Sequence, residues 1–380
     1  MIEILFWTAA AVLFYTYIGY GLLAALLVRL RGRRPAPEAF AEWPAATVVV
    51  AAYNEAAYIG EKVRNTLGQD YPSDLRLLVV ADGSTDATAE IAREAGAEVL
   101  FEPERRGKIA AMHRALAHVD TPLVAFTDAN AMLETDGLRH LLAPFADPTV
   151  GAVAGEKRVR ASANGASGEG LYWRYESALK KLDSQLHSVV GAAGELFALR
   201  TPLAEPVEPD TILDDFVLSL RVAEKGWRVA YAPEACATEA PSASMEDEWT
   251  RKVRICAGGW QAMSRLRGLC NPFRHGLLTL QYVSHRVLRW TLAPVLLPLA
   301  LILNIVLAPE AGVYAALLAA QVAFYAVAAL GWALREREVP VRGFRLPLYV
   351  VFMHAAVFPG VLRFLTGQQS VNWARARRAV

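Results

Sequence analysis

Apolar residues are unevenly placed along this chain, and their spacing changes character twice. Residues 4–30 run almost without charge, long enough to cross a bilayer as a helix. A cleaved signal peptide is the rival reading, but no Lys or Arg precedes the run, and it exceeds the usual apolar core of such peptides. After a Pro- and Ala-containing linker (35–44), short β-branched runs alternate with helical segments. Strands are expected at 47–53, 75–80, 98–101, 123–126, 151–156, 196–200 and 227–232. Helices are expected at 56–67, 87–95, 107–118 and 172–188, and a further one after the stretch 212–216 runs to 225, where Gly226 supplies a C-terminal stop. Such alternation implies right-handed crossovers and an α/β fold with a mainly parallel sheet. The Gly- and Ser-rich stretch 164–170 reads as a mobile loop.

From residue 245 the pattern changes again. Arg251, Lys252, Arg254, Arg265, Arg267, Arg274, Arg286 and Arg289 interleave with apolar residues, as in segments that lie in a membrane interface. Two spanning candidates follow at 292–307 and 313–334, then a basic loop (335–345) and a third apolar segment, 346–365. The third contains His354, Pro359 and Arg363, so it either spans or is re-entrant. Arg29, Arg31, Arg33 and Arg34 place the region after the first span in the cytoplasm, with the N-terminus outside, and Arg375, Arg377 and Arg378 favour a cytoplasmic C-terminus. The expected division is an anchor at 1–34, a catalytic domain at 45–244, interfacial helices at 245–290 and a C-terminal membrane region at 291–380.

Composition sharpens this division. Hydrophobic residues make up 54% and mean hydropathy is +0.25, and the excess sits at the two ends. A net charge of +1 offers no field for nucleic acid. Cys236, Cys256 and Cys270 have no metal-type spacing, and an odd count points to reduced thiols.

The candidate chemistry lies where the strands stop. The apolar run 123–126 ends in Thr127, Asp128, Ala129 and Asn130; the first strand ends in Tyr53-Asn54-Glu55, and the second in Asp82-Gly83-Ser84-Thr85-Asp86. Asp and Asn are ordinary turn residues, but all three clusters follow strands, on the side where open α/β sheets bind ligands.

In this order the clusters resemble the family-2 glycosyltransferases, specifically the membrane-bound polysaccharide synthase-like branch with a GT-A catalytic domain. Ala52-Tyr53-Asn54-Glu55 is similar to the first-strand motif, and the turn from Asp82 to Asp86 to the Asp-Gly-Ser-x-Asp turn. Gly107-Lys108 with Ala111 matches a Gly-Lys helix start, and Asp128-Ala129-Asn130 occupies the Asp-x-Asp position. Asp214-Asp215 stands at the Glu-Asp of the catalytic base, and Arg254 is what remains of Gln-x-x-Arg-Trp, whose Trp position holds Ile255. The resemblance covers about 47–260.

It implies an inverting glycosyltransferase of the bacterial inner membrane, multi-pass, with its catalytic domain in the cytoplasm. A nucleotide-diphosphate sugar, in the first instance a UDP-sugar, would be the donor; a saccharide or lipid-linked acceptor would receive the sugar for exopolysaccharide or envelope glycan. Membrane lipids and other envelope polysaccharide assembly proteins are the implied partners. Asp215 would be the general base. Tyr53, Glu55, Asp82, Lys108, Asp128 and Arg254 would hold the donor, and Asp128 with Asn130 would hold Mg²⁺ or Mn²⁺. Asn130 replaces a carboxylate, so the site carries one negative charge fewer. Asp214 is either an acceptor-side residue or a helix cap. Gly194, in the Gly191–Gly194 turn, lines the acceptor pocket or is a plain turn residue, and Trp260 is an acceptor platform or an interfacial Trp. His113 stands where Asn is usual and either hydrogen-bonds or faces solvent. The other histidines have no ligand-like spacing. Two rivals stand beside this reading: single addition to a polyprenyl phosphate, and a membrane component that binds nucleotide or polysaccharide without turnover.

Overall fold

The computed structural model describes residues 1–35, 38–159, 168–240, 244–334 and 342–371. Most of the Gly- and Ser-rich loop, most of the basic loop, and the tail arginines Arg375, Arg377 and Arg378 lie outside the described residues.

Eight strands form one sheet: β1 (Ala46–Ala52), β2 (Leu75–Asp82), β3 (Glu98–Glu102), β4 (Leu123–Thr127), β5 (Met132–Leu133), β6 (Val150–Val159), β7 (Leu196–Arg200) and β8 (Arg228–Glu239). Their order is β3-β2-β1-β4-β7-β6-β8-β5. The expected parallel arrangement holds for β3, β2, β1 and β4. The other half is mixed, because β7 runs antiparallel to both β4 and β6. The reason lies in the preceding segment: the Gly191–Gly194 turn delivers Leu196 opposite Thr127, at the carboxyl end of β4, so β7 must run back along it. The two-residue β5, pairing with β8, was too short to carry a sequence pattern.

Side chains alternate across β1. Val48 and Val50 pack in one apolar cluster with Ile59, Val63, Leu138 and Leu141, while Val49 packs in a second with Ile109, Phe126, Val217 and Leu220. Both faces of the sheet are therefore covered by helices, as its β-branched strands require. The helices are α1 (Ile2–Arg31, with one wide turn at Tyr15–Gly19), α2 (Ile59–Leu67), α3 (Thr88–Glu94), α4 (Lys108–Leu116), α5 (Gly137–Leu142), α6 (Gly168–Leu186), α7 (Asp214–Glu224) and α8 (Met245–Arg265). Then come α9 (Leu277–Trp290), α10 (Leu292–Leu307), α11 (Gly312–Ala333), α12 (Arg342–Ala355) and α13 (Val357–Leu365).

Among the described residues, three helical stretches are long and apolar enough to cross a membrane: Ile2–Arg31, Gly312–Ala333 and Leu346–Leu365. The expected span at 292–307 is shorter than these and forms a pair with α9, bent by 53°. The third apolar stretch is interrupted after Ala355, and its second half packs on α8, where a Cβ on Gly360 would lie 2.5 Å from Cys256 Cβ. The basic residues of the 245–290 region also depart from expectation. Arg251 pairs with Glu248, Arg265 with Asp210, and Arg286 and Arg289 with Glu176, so much of their charge is spent inside the protein.

Glu176 and Asp183 on α6 form the centre of a buried polar junction. His285 bridges them, its Nδ1 2.6 Å from Asp183 and its Nε2 3.2 Å from Glu176, and Tyr20 of α1 donates to Asp183. The first apolar helix is thereby tied to the α/β domain by satisfied polar groups.

Candidate active site

β1 lies between β2 and β4, and all three end at the same edge of the sheet. The turns that follow β1 and β2 hold each other. The Asn54 N–H donates to Ser84 Oγ (3.1 Å), Asn54 Oδ1 accepts from the Thr85 N–H (2.8 Å), and the Glu55 N–H donates to Thr88 Oγ1 (2.8 Å). Among the described residues Asn54 is the one non-glycine with a left-handed backbone (φ 54°), a conformation that Asn tolerates better than most. Gly83 (φ 69°) is required twice over, since a Cβ there would meet the Arg105 backbone at 2.6 Å.

Asp82 organises the next loop. Its Oδ2 accepts from the N–H groups of Arg106 (3.0 Å) and Gly107 (2.6 Å), and its Oδ1 from Arg114 (2.6 Å). This sets the start of α4 and so aims Lys108. The Arg105 guanidinium lies 3.7 Å above the Tyr53 ring centroid, a cation–π contact at one end of the cavity.

These turns open into a cavity of about 540 Å³. Tyr53, Glu55, Asp82, Lys108, Asp128, Asn130, Gly194, Asp214, Asp215 and Arg254 all line it. Trp260 does not: its indole N–H is spent on the Trp290 carbonyl (3.0 Å), and it is Trp290, not Trp260, that borders the cavity. His113 is used structurally, with its Nε2 accepting from the Val207 N–H (3.1 Å).

Lys108 is central. Its Nζ donates to Asp128 Oδ1 (3.0 Å) and lies 3.2 Å from Asp214 Oδ2. Burial works against its charge, yet Asp128, Asp214 and Asp215 outweigh burial and hold the ammonium above the usual lysine range. Asp214 is thus an ion-pair partner of Lys108. It is not the helix cap, because Leu213 holds that position without a side-chain bond. Asp215 behaves differently: burial first, then the neighbouring Asp214 charge, push it up to about 7 against the pull of Lys108. A Cβ on Gly194 would lie 3.5 Å from both Asp215 Oδ2 and Lys108 Nζ, so the absence of a side chain there leaves both groups open to the cavity. Arg254 reaches the Ile212 carbonyl at 3.5 Å, just ahead of the two aspartates.

Among the described residues no group of three or more His, Cys, Asp or Glu could hold a metal ion by itself. One carboxylate and one amide oxygen, completed by substrate phosphates and water, is nonetheless a usual way to hold Mg²⁺. Asp128 and Asn130 therefore fit a cation that arrives with a diphosphate and do not fit a permanently resident one.

Sequence reasoning missed several cavity-lining groups: Trp173, Glu176 and Lys180 on α6, together with Arg286 and Trp290. It also missed Lys62, fully buried beneath the Asp128 turn, which donates to Thr127 Oγ1 (3.0 Å) and to the Ala131 carbonyl. The only available signal was spacing: Glu176, Lys180 and Asp183 recur on one helical face, a pattern that ordinarily marks a solvated surface.

Comparison with known proteins agrees with this geometry. A family model described as "Glycosyltransferase like family 2" matches residues 44–258, more than half of the chain. Beta-monoglucosyldiacylglycerol synthase of Synechocystis sp. is 29% identical over 287 residues, 67% of this chain and 59% of that protein. Poly-beta-1,6-N-acetyl-D-glucosamine synthase of Staphylococcus aureus is 25% identical over 232 residues, 58% of this chain and 55% of that protein. The chain thus spans less than two thirds of these curated relatives. Mannosyltransferase PcManGT from Pyrobaculum calidifontis, solved in complex with GDP-Man and Mn²⁺, superposes with a TM-score of 0.75 at 25% identity, covering 97% of this chain and 100% of that one. On the family match and on a mixed sheet whose strand ends carry the motifs in order, this chain belongs to the glycosyltransferase-like family 2.

Proposed function

We propose that the chain is an inverting, membrane-associated glycosyltransferase that moves a sugar from a nucleotide diphosphate to an acceptor hydroxyl. The observation that carries this reading is the pair Asp215 and Lys108 in one cavity: a carboxyl raised to about 7 beside an ammonium held by Asp128 and Asp214. A carboxylate with a pKa near the operating pH suits a general base. Asp215 takes the proton of the acceptor hydroxyl as its oxygen attacks the anomeric carbon, and the bond to the diphosphate breaks on the opposite face.

Lys108 and Arg254 supply fixed positive charge for the departing diphosphate. Asp128, with Asn130, would hold Mg²⁺ or Mn²⁺, which when bound neutralises part of that charge. Tyr53, Glu55 and Asp82 form the nucleoside end; Gly194 and Asp214 border the acceptor side. The solved Pyrobaculum relative, with its GDP-Man and Mn²⁺, supports a nucleotide sugar and a divalent cation here. The names of the two curated relatives support a product that is either a glycolipid or a glycan polymer.

The orientation follows from Arg29, Arg31, Arg33 and Arg34, which favour a cytoplasmic catalytic domain in the bacterial inner membrane, between an N-terminal anchor and a C-terminal membrane region. The test is incubation of the detergent-solubilised chain with a panel of radiolabelled nucleotide sugars and a membrane lipid extract. Release of nucleoside diphosphate with label in a new product is expected. No turnover of any nucleotide sugar, with divalent metal present, overturns the reading.

A further inference from the structure

Helix α6 contributes Tyr172, Trp173, Glu176 and Lys180 to the cavity lining. Lys180 is 3% exposed, and among the described residues its ammonium makes no hydrogen bond. Its ion-pair partner Glu156 is 3.9 Å away, and the two oxygens of that carboxylate already accept from Ser177 and Tyr231. A buried ammonium without a hydrogen-bond acceptor is costly, and in native proteins such a group has a reason. Because Lys180 borders the cavity, the cavity is the side from which a ligand oxygen reaches it.

Two features set the chemistry of that ligand. The first is the Trp173 ring, 5.8 Å from Lys180 Nζ and 5.7 Å from Lys157 Nζ on the same wall. An indole face beside hydrogen-bonding groups suits a pyranose, whose C–H face is apolar and whose hydroxyls need partners. The second is charge. Burial disfavours the Lys180 charge; Glu156, Glu176 and Glu195 act to keep it, and Arg286 acts against it. A phosphate bound at Lys180 would be repelled by those three carboxylates, whereas a neutral hydroxyl carries no charge for them to repel.

We propose that Trp173 and Lys180 form the subsite for a sugar ring on the acceptor, so that the acceptor is a saccharide or a saccharide-headed lipid. A lipid phosphate or a bare lipid alcohol offers no such ring. The proposal rests on the transferase reading above and adds the class of its second substrate.

The test offers the solubilised full chain four acceptors with its nucleotide sugar: octyl β-D-glucopyranoside, octyl α-D-mannopyranoside, a polyprenyl monophosphate and a diacylglycerol. At least one octyl glycoside is expected to be glycosylated. Lys180→Met should raise the KM for that glycoside at least tenfold while kcat at saturation falls less than threefold. Trp173→Ala should act similarly, and Trp173→Phe, which keeps an aromatic face, should stay within threefold of wild type. If Lys180→Met does not fold, the half-buried Trp173 variants and the wild-type acceptor panel decide the matter.

Transfer to neither glycoside while the nucleotide sugar is still turned over, whether or not the polyprenyl phosphate or the diacylglycerol accepts the sugar, overturns the proposal. So does an unchanged glycoside KM in both Lys180→Met and Trp173→Ala. Those failures leave donor turnover intact, whereas loss of the donor reading itself shows as no hydrolysis of any nucleotide sugar, and takes this proposal with it.

Discussion

Asp128 and Asp214 share a single cation: the Lys108 ammonium lies 3.0 Å from one and 3.2 Å from the other. The first sits in the turn after β4 and the second opens α7, so one side chain joins the donor turn to the element that carries Asp215. Lys108→Met removes that tie and leaves two carboxylates facing each other across the cavity. It should lower kcat by about 10²–10³, the usual effect of deleting one preorganised donor to developing negative charge. Steady-state kinetics check this; a variant with more than a third of wild-type kcat would exclude Lys108 from the transfer step.

Asp215 makes a pH prediction in two parts. Its base form is required, so kcat should rise with pH through about 7 and level off above it. Asp215→Asn should abolish this limb and lower kcat by about 10²–10⁴. Stability should move the other way. The folded-state pKa is raised above the ordinary 3.8, so between that value and about 7 the folded state binds more protons than the unfolded state, and stability falls as pH rises. The asparagine variant should therefore melt higher than wild type at pH 8, with the gap shrinking toward pH 5. Thermal melts at the two pH values measure it, and a gap that widens on acidification contradicts the assignment.

The donor set at Asp128 and Asn130 has one formal charge and is incomplete without substrate. Chelator should abolish transfer, and Asp128→Ala should not recover it at any Mn²⁺ concentration. Asn130→Asp adds a second carboxylate and should lower the Mn²⁺ concentration giving half-maximal rate. Titration of Mn²⁺ in the presence of nucleoside diphosphate, read by calorimetry, gives the same ordering without turnover. Full activity in excess chelator would remove the cation from the scheme.

The elements most legible in the sequence were those with one strong period. The strand at 196–200 and the helix at 292–307 were placed to the residue, and the ends of β1, β2 and β4 to within two residues. The cavity lining was legible too: Tyr53, Glu55, Asp82, Lys108, Asp128 and Arg254, the six residues expected to hold the donor, all border one cavity. What was hidden comes from tertiary packing. Lys62 lies on an amphipathic helix, and only the close approach of that helix to the turn after β4 turns an apparently solvated lysine into a buried clamp on Thr127 and Ala131. The arginines of α8 and α9 were read as part of an interfacial segment because two of their partners, Asp210 and Glu176, are distant in sequence, although the i, i+3 pair Glu248–Arg251 was open to a helical-spacing argument. Trp260 illustrates the same limit: a neighbouring tryptophan took the position facing the cavity.

The last prediction concerns which side of the membrane holds the cavity. Arg29 and Arg31 in the last turn of the first apolar helix, with Arg33 and Arg34 just after it, favour a cytoplasmic α/β domain, where nucleotide sugars are made. The turn before α11 is informative because α9 and α10 are bent by 53°: a broken span puts Glu310 outside, and a re-entrant pair returns it to the cytoplasmic side. The expected span at 292–307 corresponds to the broken-span case. Glu94 and Glu310 are both exposed, so each can carry a reporter cysteine. Cys236 and Cys256 are buried and Cys270 is exposed, so the background should carry Cys270→Ser. In intact bacterial cells a membrane-impermeant maleimide should label Glu310→Cys, and it should label Glu94→Cys only after the cells are opened. Labelling of Glu94→Cys from outside would invert the orientation and separate the cavity from its donor. Protection of Glu310→Cys in intact cells, with Glu94→Cys also protected, would keep the orientation and make the α9–α10 pair a re-entrant element on the cytoplasmic face.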